Sequence, residues 1–300
     1  NALNELSYFY FSTDPEQAIA LAQEANSLSE EIQFLEGEAY ALKNLGLANY
    51  ILDNYVMVLE YWQQSLEVYE SLGDKEGVAN LVNNIGAVYF QQGDDAKAIE
   101  YYLRSLTLSE EIGHTFRIAT AMLNVGTIYF NKPDAHDKAQ EYYLRALPLF
   151  EELQNQDGIG TVSVNLGEIY FQKGTLDSAM YYYNKSVEAY EGLPGEAYSL
   201  TKHAEVHAES GDYQEALDDL EEAFRIAEGF NSKSDMVIAL LATADTYRKM
   251  NDIRSALEHY QKAESIGMLV GANKELKEAY EGLAYAYAEM EDIRNAFKYQ

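Results

Sequence analysis

Cysteine is absent from this sequence and proline occurs only four times among 300 residues. Without cysteine there is no disulfide framework, no thiolate ligand and no cysteine nucleophile. Neither cytosol nor periplasm is thereby excluded, and the cytosol is the favoured compartment. Few prolines and few Gly/Ser clusters leave no segment that reads as a flexible linker. Long apolar runs are also missing: none approaches the ~18–20 residues needed to cross a membrane, and no signal peptide opens the chain. Basic residues are scarce, with 21 Lys and Arg against 50 Asp and Glu, a formal charge of −29. A surface of that sign repels phosphate backbones and anionic lipid, which disfavours nucleic acid and direct membrane contact. It attracts a basic peptide, or it serves only to keep the chain in solution.

What the sequence does contain is a phrase written many times. Asn84-Ile85-Gly86-Ala87-Val88-Tyr89-Phe90 returns as NLGLANY at Asn44, NVGTIYF at Asn124 and NLGEIYF at Asn165. Weaker copies begin at Lys202, Ala242 and Gly282, and successive starts lie 40, 40, 41, 37, 40 and 40 residues apart. A period in that range means a stacked array of supersecondary units. Each unit reads as two helices. In the third, Val78, Leu81, Val82, Ile85, Val88 and Tyr89 recur at three- and four-residue spacing until Gln92-Gly93-Asp94 breaks the pattern. Ala98, Ile99, Tyr102, Leu103 and Leu106 then start a second helix that ends at Gly113. The units run over residues 1–33, 34–73, 74–113, 114–154, 155–194, 195–231, 232–271 and 272–300.

Gly86, Tyr89, Ala98 and Tyr102 fall where the consensus of the tetratricopeptide repeat places a small residue, an aromatic, an alanine and an aromatic. Gly167, Tyr170, Ala179 and Tyr183 match in the same way. Gly126, Tyr129, Ala139 and Tyr143 match with one inserted residue, and later units put Ala204, Ala244 and Ala284 at the glycine position. The chain therefore resembles the tetratricopeptide repeat family over nearly its full length. Its longer units look like those of Leu-Gly-Asn-repeat adaptors, and like the repeat regions ahead of cyclase, histidine kinase or transcription-factor modules in bacteria. The resemblance implies an all-α, right-handed α-α superhelix, a solenoid of about seven and a half helical hairpins. Two local expectations go with it. The 37-residue period after Tyr190 is read as a loop deletion rather than a bend, and an ending in mid-helix at Gln300 suggests a fragment.

In this repeat class the first helix of each hairpin lines a groove. At 100° per residue, Asn80, Asn84, Ala87 and Gln91 face away from Tyr89 and Val82. The same geometry nominates Asn44, Asn124 and Asn165, flanked by Asn83, Thr120, Thr127 and Glu168. An asparagine offers a donor and an acceptor, so a row of them suits the backbone of an extended peptide, the use that the resemblance implies for an equivalent asparagine. The alternative is that the asparagines tie neighbouring helices together. Further along, Glu205 and Asp245 make the groove acidic where the earlier repeats read as neutral, which favours a peptide carrying Lys or Arg toward one end. Tyr50, Phe90, Phe130 and Phe171 sit at the groove edge, as core between first helices or as walls of apolar pockets.

Signals for catalysis or cofactors are lacking. His203 and His207 are four residues apart on a helix, but the sequence shows no third metal ligand at a suitable spacing, and Asp218-Asp219 reads as part of a solvated helix face. The expectation is a protein- or peptide-binding scaffold without catalytic, metal or cofactor site, its self-association open. The alternative is the sensory or regulatory arm of a larger bacterial signalling protein.

Overall fold

Short polar side chains set where the helices begin. Asp14, Asp74, Asp94, Asn155, Asp252 and Asp292 each precede a helix and accept a hydrogen bond from the backbone N–H three residues on, satisfying a donor that the first turn leaves open. Gly73 and Gly113 end their helices in the left-handed conformation at φ of 68° and 69°. The computed structural model describes all 300 residues and contains helices and turns but no strand. Sixteen α-helices pair as hairpins: α1 (Ala2–Tyr10) with α2 (Pro15–Glu31), α3 (Leu35–Ile51) with α4 (Tyr55–Leu72), α5 (Lys75–Gln91) with α6 (Asp95–Ile112), and α7 (Thr115–Phe130) with α8 (His136–Glu152). A 3-10 turn at Pro133–Ala135 joins the last two. Then follow α9 (Gln156–Gln172) with α10 (Leu176–Ala189), α11 (Glu196–Ser210) with α12 (Tyr213–Gly229), α13 (Lys233–Lys249) with α14 (Ile253–Val270), and α15 (Asn273–Glu289) with the short α16 (Ile293–Lys298). None is long and apolar enough to cross a membrane.

The helices form two compact units, Asn1–Leu149 and Phe150–Gln300. In the first, Val58, Trp62 and Leu66 of α4 pack on Val78, Leu81, Val82, Ile85 and Val88 of α5. In the second, Leu240, Leu241 and Ala244 of α13 pack with Ala256 and Tyr260 of α14 and Leu283 of α15.

Four of the hairpins close on one contact. A large ring of the second helix lies on the small residue of the first: Trp62 on Gly46, Tyr102 on Gly86, Tyr143 on Gly126 and Tyr183 on Gly167. A methyl added at these glycines would stand between 2.0 and 2.9 Å from the ring, closer than van der Waals contact permits, so the small residue sets the spacing of the helices. The rings themselves are buried.

A serine tie supplements that contact. Ser65 Oγ donates to the Ala39 carbonyl at 2.7 Å, Ser105 to Ala79 at 2.9 Å and Ser186 to Gly160 at 2.9 Å, each 26 residues back and from second helix to first.

The shortened period is accommodated differently from the expectation. The connection after Tyr190 is not shortened. The residues are missing from the helices, since α10 has 14 and α11 has 15 where most others have 17 or 18. Leu193-Pro194-Gly195 and a left-handed Gly192 at φ 71° cannot continue a helix, so α10 stops early.

Candidate groove and its polar side chains

In the first unit the asparagines divide into two kinds. Asn44 is fully buried and its Nδ2 donates to the Asn4 carbonyl at 2.8 Å, while Asn4 donates to Gly37 O at 2.9 Å. This corrects the expectation that Asn44 faces a ligand: it ties α3 to α1 and has no open surface. Asn124 donates to Asn83 Oδ1 at 3.0 Å, a bridge from α7 to α5. The side chain of Asn84, one position after Asn83, makes no hydrogen bond with the rest of the chain. It lines a cavity of about 220 Å³ with Asn80, Asn83, Ser105, Phe116, Arg117 and Thr120. Two polar atoms of residues at this cavity are buried without a hydrogen-bond partner, Asn80 Oδ1 and Arg117 Nε. One accepts and the other donates, which is what a peptide group requires of its surroundings.

Charge in this unit also departs from the neutral groove expected. Burial lowers the Lys43 ammonium on α3 from its ordinary value, and the Arg117 charge on α7 lowers it further. Arg117 reaches only Glu76, at 3.4 Å. Sequence reasoning passed over Arg117, although it stands seven residues before Asn124, almost two full turns, and so on the same helix stripe.

Thr120 and Thr127 turn inward to their own helix, donating to Phe116 O at 2.8 Å and Leu123 O at 3.0 Å. Thr127 also accepts from Tyr143 OH at 3.3 Å. The four edge aromatics are half-buried. Tyr50 stacks on Trp62, Phe90 packs against the core around Tyr102 and Val125, and Phe130 stacks on His136. Phe171 does both things expected of this position, packing on the core near Tyr183 and lining a cavity.

That cavity, in the second unit, has a volume of about 370 Å³ and is lined only by first helices: α9, α11, α13 and α15. Its apolar part is Phe171, Ile238, Leu241 and Ala242. Its charged part includes Lys202, Glu205 and Asp245. Lys202 holds Glu205 at 2.9 Å and lies 3.7 Å from Glu168, which accepts from Tyr183 OH at 3.2 Å. Asp245 pairs with Arg248 and accepts from Tyr260 OH. Burial raises the Glu205 carboxyl and Lys202 pulls it back only in part. Burial works against the Lys202 charge as well, but Glu205 and Glu168 more than offset it and leave the ammonium raised. Glu205 and Glu168 thus share Lys202, and Asp245 forms a separate pair with Arg248 on the same first-helix face. Asn165, half-buried on α9, is already engaged within the chain.

The tyrosines under this face are held in register with it. Tyr143 and Tyr183 pass beneath the small residue of their hairpin, Tyr260 lies against Gly282 of the next first helix, and the three reach Thr127, Glu168 and Asp245. Burial raises the Tyr183 and Tyr260 phenols well above their ordinary value, with the neighbouring carboxylates acting in the same direction.

Comparison with known proteins gives a family and a fold. The tetratricopeptide repeat model matches residues 37–111, 117–192 and 195–267. The structure of the apo quorum sensor NprR from B. thuringiensis superposes with a TM-score of 0.74 at 16% identity, covering 99% of this chain and 84% of that one. Apo RapI gives 0.73 at 14% identity, covering 87% and 94%. A Rap protein solved in complex with Competence and Sporulation Factor gives 0.62 at 14% identity, covering 99% and 94%. No curated protein matches by sequence.

Proposed function

The chain belongs to the tetratricopeptide repeat family, and from that membership we propose that it binds an extended peptide segment of a protein partner on its first-helix face. The observation that carries this reading is the cavity of about 370 Å³ walled by four successive first helices and by no second helix. Apolar side chains at its centre with charged groups around them match the general build of a ligand site. Glu275, Glu278 and Lys274 on its wall form no ion pair within the chain, an excess of one negative charge that favours a segment carrying a Lys or Arg next to an apolar residue. On this reading the chain binds and does not catalyse. The proteins whose fold it shares support a second reading, that the binding reports a signal, because NprR is described as a quorum sensor and one Rap protein was captured with Competence and Sporulation Factor.

The test is selection from a random peptide library followed by fluorescence anisotropy on the selected sequences. Ala242 lies on the cavity wall, and Ala242→Arg fills the space without touching the hairpin contact at Ala244. Selected peptides with a basic residue whose binding is lost in Ala242→Arg support the proposal. A library that yields no binder, or binders indifferent to Ala242→Arg, overturns it. Scattering profiles with and without peptide separate the two readings, since a signalling arm changes shape on binding and a static scaffold does not.

A further inference from the structure

The sixth hairpin differs from its neighbours at a place unconnected with peptide binding. In the third, fourth, fifth, seventh and eighth hairpins an aromatic three residues after the small residue stacks on an aromatic of the second helix. The pairs are Tyr89–Tyr101, Tyr129–Tyr142, Tyr170–Tyr182, Tyr247–His259 and Tyr287–Tyr299, with ring centroids 5.2 to 6.0 Å apart. The corresponding positions of the sixth hairpin hold His207 on α11 and Asp219 on α12. One turn before His207, where Ile85, Val125, Leu166 and Leu283 are buried in other hairpins, stands His203. Three positions of one interhelix seam have thus changed together from apolar and aromatic to imidazole, imidazole and carboxylate.

The geometry converges. His203 Nδ1 and Asp219 Oδ2 are 2.8 Å apart, and the two imidazole centroids are 4.9 Å apart. One ligand atom from each of the three side chains lies within 4.8 Å of the others. The His203 and Asp219 side chains are 14% and 25% exposed, so Asp219 does not stand on the solvated face that the sequence suggested. It is the third ligand that spacing along the chain could not reveal, because it comes from the neighbouring helix. His207 Nδ1 is buried and has no hydrogen-bond partner, its nearest acid being Asp212 at 3.8 Å. Losing an aromatic stack and burying an unpaired imidazole nitrogen both cost stability. An electrophile bound to that nitrogen removes the second cost.

We propose that His203, His207 and Asp219 bind a divalent transition ion of the zinc class between α11 and α12. Two neutral imidazoles and one carboxylate suit such an ion and not Mg²⁺ or Ca²⁺, which take oxygen ligands. Ligand atoms of a tetrahedral zinc site stand about 3.4 Å from one another, given metal–ligand distances near 2.1 Å. Side-chain rotation within the present spacing closes the set. Three protein ligands leave a position for water or for Asp212. The ion takes over the task that the stacked rings perform elsewhere, holding first helix to second.

The test uses the chain stripped with a chelator and titrated with CoCl₂ in excess MgCl₂, which occupies the many surface carboxylates. Expected are a visible d–d absorption band that saturates at one Co²⁺ per chain, its displacement by ZnCl₂, and a rise in melting temperature with Zn²⁺. His203→Leu and His207→Tyr each abolish the band. The double variant His207→Tyr/Asp219→Tyr restores the stack of the other hairpins, so it stays folded and melts at a temperature indifferent to Zn²⁺. Absence of a band in the unsubstituted chain overturns the proposal, and so does a band that survives both histidine substitutions. The readout on the unsubstituted chain stands even if a variant fails to fold.

Discussion

Asn124 Nδ2 donates to Asn83 Oδ1 at 3.0 Å, joining first helices whose sequences lie 41 residues apart. The pair sets α7 against α5 one position out of step with the repeat, since the equivalent of Asn124 is Asn84. Asn84 is thereby left with an unused amide on the wall of the cavity it shares with Arg117.

The two neighbours should therefore behave oppositely. Asn83→Ala breaks a hydrogen bond between half-buried groups and lowers stability by about 0.5–1.5 kcal/mol. Asn84→Ala loses no such bond and leaves the unfolding midpoint unchanged. Urea unfolding of both variants checks this, and an equal loss in the two would mean that the step between Asn83 and Asn84 is not maintained in solution. If peptide reaches the first unit, only Asn84→Ala weakens it at constant stability.

The ring-on-glycine contact predicts a larger effect. A Cβ at Gly126 would lie 2.6 Å from the Tyr143 ring, so Gly126→Val forces α7 and α8 apart and costs about 1–3 kcal/mol. Adding Tyr143→Leu to Gly126→Val should recover part of that loss. A double-mutant cycle measures the recovery, and additivity of the two changes would show that the ring does not set the helix spacing.

Most of the hairpin architecture could be read from period and apolar spacing, because Gly86, Tyr102 and their counterparts at Gly46, Gly126 and Gly167 do the same job in four units. Site residues were less legible, for reasons visible at single positions. Asn44 and Asn84 are identical in the repeat, yet Asn44 is sealed because the chain before it supplies the Asn4 carbonyl. No spacing rule reveals that. Gly282 occupies the asparagine position of the eighth unit, and a Cβ there would stand 2.3 Å from Tyr260. With Ala244 in the small position, that ring leans on the next first helix, which leaves no room for an amide. Lys43 and Arg117 stand 74 positions apart in the sequence, and the Arg117 charge acts on Lys43 only through the fold.

Alkaline titration reports on the tyrosines. Burial pushes the Tyr69 phenol up to about 12, and the phenols of Tyr102, Tyr183 and Tyr260 also lie above their ordinary value because they are buried. Between pH 10 and 12 the folded chain retains protons that the unfolded chain has lost, so the sign of linkage makes stability fall as pH rises. Melting temperatures should show no tyrosine-linked change below pH 9 and decline above pH 10. Phenolate absorbance near 295 nm should rise in two stages, exposed rings first and the buried ones together with unfolding. A single stage complete near pH 10 in the folded chain would contradict the burial of these rings.

Salt should stabilise this protein. The charge of −29 repels itself in the compact state, and the Debye length falls from ~30 Å at 0.01 M salt to ~8 Å at 0.15 M. Opposing this is the loss of ion pairs between helices, such as Lys75 to Glu111 at 2.8 Å and Lys132 to Asp95 at 3.1 Å. Their side chains are between 36% and 58% exposed, and pairs of that kind contribute ~0–1 kcal/mol each. Net repulsion runs through the whole chain and each exposed pair contributes little, so screening removes more repulsion than attraction. The melting temperature should rise between 0.01 M and 0.15 M NaCl. Arg104→Gln, which breaks the pair with Glu70 and adds net negative charge, should make that rise steeper. A melting temperature that falls with salt would mean that the exposed pairs, and not the excess of carboxylates, dominate the electrostatics of the fold.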